Sequence, residues 1–326
     1  MHPAQRHLLP GQRWHFQHGP IDILIGAEGD AAALQAAHNA AWAGFQTVLA
    51  ELVAELPLLR QPVAGSNPLQ GAIARQMWAA CAALVGAADG FITPMAAVAG
   101  AVAQSVISAY QRPGIRRAWA NNGGDIALHL GPGTQVQVGL VADLANFDAA
   151  ALAQSAAGLL RSDAAFAVLA SSPVRGVATS GWRGRSLSRG IADSVTVLAC
   201  SAAQADAAAT VIANAVDLPS PAAAAAAGIV RQPANTVRDD SDLGQIAVTV
   251  QVPSLPPAVV QQALQRGLAC AQRLQAAGLV HAVVLACQGQ LCRLQPVLST
   301  QLAAELVQSL LHARRPRLPC PPAPHR

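Results

Sequence analysis

Apolar and polar residues alternate most clearly in residues 14–25, which end in Ile21-Asp22-Ile23-Leu24-Ile25 and predict a strand or hairpin arm. The same period returns at 126–130, where Ile126, Leu128 and Leu130 fall on one face and Ala127 and His129 on the other. Residues 135–141 alternate again after the turn Gly131-Pro132-Gly133-Thr134. Shorter runs at 115–119, 166–171, 174–181, 191–200, 245–252, 279–287 and 291–294 read as further strands. Between them lie segments rich in helix formers: 31–56 behind Asp30, 71–85, 93–110 opened by Thr93-Pro94, 143–160, 202–216 capped by Ser201, 257–277 and 300–314. Strands arrive both in hairpins and singly between helices. That order predicts an α+β fold with a largely antiparallel sheet.

With 326 residues, 52% hydrophobic and 12% charged, the chain can bury a sizeable core and is not a disordered composition. Much of the apolar content is alanine, so the core is built from small side chains. The pattern reads as a short arm at 1–13, one domain over 14–312 and a Pro/Arg-rich tail at 313–326. Any subdivision falls near 218–244, where an alanine tract meets the charged turn Arg238 to Asp242. The uncharged stretch 90–111 is long enough for a membrane span, but Pro94, Gln104 and its small residues favour a buried helix. A soluble, cytoplasmic protein without a membrane partner is expected. Net charge is +4, the arginines are scattered and aromatics make up 3%, so neither a nucleic-acid stripe nor a stacking platform is present. The six cysteines form no CxxC pair, which leaves a zinc ribbon unsupported and suits a reducing compartment.

Three groups of residues carry candidate chemistry. In Asn121-Asn122-Gly123-Gly124-Asp125, two glycines without Cβ atoms would let a ligand approach the main chain, although the same residues suit a hairpin turn. Asp206 and Thr210 lie four apart on a predicted helix and share a face, as hard oxygen donors suited to Mg²⁺. Thr179-Ser180-Gly181, followed by Trp182, Arg183, Arg185 and Arg189, combines hydroxyls, backbone N–H groups and guanidinium forks of the kind a pyrophosphate requires. Asp193 stands at a strand entrance, equally an edge feature and part of a site. A triad could be assembled from Ser180, His129 and Asp125, but no GxSxG elbow supports it.

Five stretches in register give the chain its family likeness. They are Phe91 to Ala103, Asn121 to Ile126, Ala178 to Gly181, Gly184 to Leu198 and Ala205 to Thr210. Together they resemble the ApbE superfamily, the FAD:protein FMN transferases, and within it a shorter, uncharacterised cytoplasmic branch. The resemblance spans roughly residues 14–217. It implies a T-fold-like architecture and an FAD pocket formed by Thr93, Asn122, Gly123, Gly124, Asp125, Thr179, Ser180, Gly181 and Arg185. It further implies Mg²⁺ at Asp206 and Thr210, an anionic, flavin-like ligand and transfer of FMN to a Thr or Ser of a partner protein. Arg189 and Asp193 stand where the family carries a His-containing stretch ending in Asp-Pro, and are expected to serve acid/base or anion chemistry. The family's helix lysine is missing near Ala101 to Gln104. Two further readings follow: a binding module without transfer chemistry, or an enzyme acting on another small metabolite. The alanine-rich helices could pack between two copies in a homodimer as readily as within one.

Overall fold

In the computed structural model, residues 3–140, 164–184 and 186–296 are described. The helices expected at 143–160 and 300–314, the tail and Arg185 lie outside them. Among the described residues, thirteen strands form. Nine of them make one antiparallel sheet in the order β1-β2-β3-β4-β5-β8-β9-β12-β13. These are β1 Gln5–Leu9, β2 Arg13–His18, β3 Ile21–Gly29, β4 Ile115–Asn122, β5 Asp125–Leu130, β8 Gly176–Ser180, β9 Ser194–Ala199, β12 Ala282–Cys287 and β13 Gln290–Leu294. Two hairpins stand apart from it: β6 Gln135–Leu140 with β7 Ala164–Leu169, and β10 Val230–Pro233 with β11 Ala247–Gln251. The α+β class and the antiparallel pairing expected from the sequence are those observed. The expected arm includes β1, which adds an edge strand beside β2.

The helices are α1 Ala31–Ala54, α2 Leu56–Leu59, α3 Ala72–Ala82, α4 Val98–Ser108, α5 Ala202–Ala215, α6 Pro221–Ala226, α7 Ala234–Val237 and α8 Pro257–Ala276. The period-2 alternation divides the strands between two cores. Ala127, Ala178 and Val197 face the helical layer, whereas their neighbours Leu128, Val177 and Leu198 pack with Val138, Phe166 and Val168 of the β6–β7 hairpin. Alanine sets the spacing on the helical side. Nine of the fourteen residues of α5 are buried, seven of them alanine, and this helix lies against β8, β9, α4 and α8. Glycines permit the closest approaches: a Cβ at Gly176 would lie 2.2 Å from the Ser201 carbonyl oxygen, and one at Gly100 2.2 Å from that of Ala202.

The helix expected over 93–110 is interrupted. Pro94–Ala97 forms a 3-10 turn, Ala97 leaves helical geometry and α4 starts at Val98. Among the described residues, no helix is long and apolar enough to cross a membrane. Cys81, Cys200, Cys270, Cys287 and Cys292 are free thiols.

Candidate functional site

The Asn-Gly-Gly-Asp loop is the β4–β5 hairpin turn, closed by pairing of Asn122 with Asp125 and made possible by φ +68° at Gly123 and +116° at Gly124. One of its N–H groups is already used, because Gly124 N donates to Asn121 Oδ1 at 2.8 Å. The turn does more than reverse the chain. Asn122 is buried, and its Nδ2 donates to the Ala99 carbonyl at 3.1 Å, docking the hairpin on the start of α4.

No side chain caps α4 from its own sequence. The first-turn N–H groups of a helix need acceptors, and here Asp206 of α5 supplies one: Gly100 N donates to Asp206 Oδ2 at 2.9 Å. The Asp206 carboxyl is pushed well above the ordinary carboxylate range by burial first and by the nearby Asp125 charge second, with the Gly100 and Ala99 N–H groups opposing both. Asp206 keeps some contact with solvent. Asp125 in turn accepts from Thr179 N at 3.3 Å, and Thr179 shares a 2.8 Å hydroxyl contact with Thr196. Asp125, Thr179 and Asp206, taken from three separate stretches, therefore meet. Ser180 follows Thr179 on the same strand end, and Thr210 stands one turn beyond Asp206 on α5.

Two residues join this region that no local pattern marks. Asp242 lies in the expected exposed turn, yet its carboxylate accepts from the Thr93 hydroxyl, so Thr93 caps no helix of its own. Cys81 of α3 is buried, and its thiol is pushed up by that burial and by the charges of Asp206 and Asp242. The only signal for either was composition, since neither spacing nor periodicity encodes a loop folding back over 149 residues.

Asp193 and Arg189 are placed differently. Asp193 is a buried acid that accepts from Trp182 Nε1 at 3.3 Å and Gln288 N at 2.5 Å, and pairs with Arg183 Nε at 3.3 Å. It ties the loop after Gly181 to the β12–β13 turn. Arg189 is fixed through its backbone, its N–H donating to Asn214 Oδ1 at 2.8 Å near the other end of α5. Gly181 is required sterically, because a Cβ there would lie 2.3 Å from the Asp193 carbonyl oxygen.

Whether Mg²⁺ suits the cluster can be judged from its donors. Asp125 lies close enough to act on Asp206, and both are only partly buried, so a hard cation would offset the burial and the like charge that raise Asp206. Among the described residues, no three His, Cys, Asp or Glu side chains form a metal cage. Mg²⁺ held by one or two carboxylates, with water and phosphate completing its shell, needs none.

Comparison with known proteins places this geometry in context. The model of the family described as "AbpE bacteria" matches residues 6–293. A UPF0280 protein of Methanothermobacter thermautotrophicus is 39% identical over 129 residues, which is 39% of this chain and 44% of that protein. A UPF0280 protein of Methanospirillum hungatei is 37% identical over 124 residues, 38% of this chain and 45% of that protein. The matches thus span less than half the length of either relative. Among solved structures, the flavinyl transferase ApbE of Pseudomonas stutzeri aligns over 94% of this chain and 99% of its own, at 12% identity and a TM-score of 0.46. The flavin transferase ApbE of Vibrio cholerae aligns over 90% and 98%, at 11% identity and a TM-score of 0.45.

Proposed function

The chain belongs to the AbpE bacteria family, and from that premise we propose that it binds a flavin dinucleotide with Mg²⁺ at the Asp125–Thr179–Asp206 cluster and acts as an ApbE-like transferase. The observation that carries this reading is the meeting of Asp125 and Asp206, two carboxylates from separate motifs, beside the Thr179–Ser180 strand end. Asp206 and Thr210 would hold Mg²⁺. The bound ion supplies Lewis-acid polarisation of a phosphoryl oxygen. Thr179 and Ser180, with Arg185, would orient the pyrophosphate by hydroxyl and guanidinium donors. Gly123 and Gly124 would admit the ligand close to the main chain. The Thr93–Asp242 link would close one side of the site.

A flavin-binding module without transfer chemistry is the second reading, favoured by Asp193. Its carboxylate already serves Trp182, Arg183 and Gln288, which makes it a positioning residue for the loop after Gly181. Titration of the full chain with FAD, with and without Mg²⁺, tests both. A rise in melting temperature that needs Mg²⁺ and is lost in Asp206→Asn supports the site, since a ligand of the native state raises apparent stability. FMN transfer to a Ser- or Thr-containing acceptor then separates the enzyme from the module. No FAD-induced shift in either condition rejects both.

A further inference from the structure

The Asp125–Asp206 cluster leaves a substantial concavity without a role. A cleft of about 910 Å³ opens at the C-terminal end of α5, between that helix, α6, β10 and α8. Its size is that of a small-molecule site. Four arginines line it, Arg189, Arg231, Arg266 and Arg273, against two acids, Asp89 and Asp217. They come from separate places in the chain: Arg189 from the loop before β9, Arg231 from β10, and Arg266 and Arg273 from α8, where a spacing of seven puts them on one face.

The pairing of these charges is uneven. Asp217 is spent on Arg231, Oδ1 to Nη2 at 2.6 Å, with both side chains about four-fifths buried (17% and 20% exposed). No carboxylate of the described residues lies within ion-pairing distance of Arg189, Arg266 or Arg273. Burial pushes the Cys270 thiol up, Arg273 opposes that and Asp89 adds to it, but Asp89 and Arg273 form no ion pair. Three guanidiniums therefore line one concavity with no ion-pair partner among the described residues, and Asp89 is the one acid there not already paired. The floor beneath them is fixed. Asn214 Oδ1 accepts from both the Arg189 N–H at 2.8 Å and the Ser188 hydroxyl at 3.2 Å, while Thr249 Oγ1 donates to the Arg189 carbonyl at 3.2 Å.

We propose that this cleft is a second ligand site, separate from the Asp125–Asp206 cluster, that takes a small molecule bearing two or more linked phosphates. Three guanidinium forks from two segments suit the several oxygens of such a chain and give bidentate contacts that a single carboxylate would not fill. Among the described residues its lining contains no aromatic side chain, which sets it apart from a stacking platform for single-stranded nucleic acid.

The test is calorimetric titration of the full chain with inorganic pyrophosphate in EDTA, so that no Mg²⁺ can recruit it to Asp206. Binding should be unchanged in Asp206→Asn and weakened about tenfold or more in Arg266→Gln/Arg273→Gln, because each charge-assisted contact is worth more than a neutral one. Both arginines are exposed, so the double variant should melt with the wild type; Arg266→Lys/Arg273→Lys, which keeps the charge and loses the fork, should fall between the two. Absent binding to wild type, unaltered binding in the double glutamine variant, or loss in Asp206→Asn alone would each overturn the second site. Citrate binding as tightly as pyrophosphate would overturn its assignment to phosphate.

Discussion

The two ends of α5 are made of opposite materials. At its N-terminal end, backbone meets backbone: Gly176 lies against Ser201 and Gly100 against Ala202, with no room for a methyl group. Burial there, with the Asp125 charge behind it, lifts the Asp206 carboxyl well above its ordinary range. At its C-terminal end the packing opens into a cleft, and the charges there are guanidiniums, two of them on exposed residues of α8. Close packing concentrates electrostatic tension on a few carboxylates, while loose packing displays hydrated cations at little cost. On the two proposals made above, one helix would serve a cation at one end and an anion at the other.

Substitutions at the two ends should separate this contrast. The largest effect is expected for Gly176→Ala, whose Cβ would lie 2.2 Å from backbone atoms of Ser201. Strand and helix would have to part, at about 3 kcal/mol or more by urea denaturation. Arg273→Gln at the open end should stay within about 0.5 kcal/mol of wild type. Similar costs for the two would erase the distinction.

Asp217→Asn ranks next. It leaves the mostly buried Arg231 without its carboxylate and should cost about 1–2 kcal/mol in the same assay, between the values of exposed and fully buried pairs. Asp206→Asn should show its effect in the pH dependence. Because the folded carboxyl titrates above its unfolded value, its contribution is fully present in acid and is lost as pH rises through that raised value. The Asn variant lacks this loss, so its stability relative to wild type should grow from acid to neutral pH in denaturation midpoints taken across that range. An unchanging difference would mean that Asp206 is not under tension.

The smallest effect is at the caps. Ser201 Oγ accepts from Gln204 N at 3.3 Å at the closed end, and Ser220 Oγ from Ala223 N at 3.1 Å on α6. Ser201→Ala should cost about 1 kcal/mol, and Ser220→Ala, on a short exposed helix, about 0.5 kcal/mol. Thermal unfolding of the single variants would show whether the closed end amplifies even a cap.

Much of this molecule was legible locally. Alternation placed Leu128 and Leu130 together on one face of β5, and they share the smaller core. Ser201 marked the start of α5 and caps it. These features depend on residues within a few positions of each other, where backbone geometry fixes side-chain direction. The interrupted helix at Ala97 was not legible, because Thr93 bonds a partner 149 residues away in place of the helix it precedes.

The sequence by itself determined the class of fold, the strand periods and the separate motifs around Asp125, Thr179 and Asp206. Tertiary structure decided their relations: that Asp206 caps a helix other than its own, that Asp242 reaches Thr93, and that Arg189 joins Arg231, Arg266 and Arg273 at the opposite end of α5. Charge acts through space and depends on how much water remains between groups. Those distances are set by how closely alanine and glycine let the layers approach, and no stretch of chain read alone contains them.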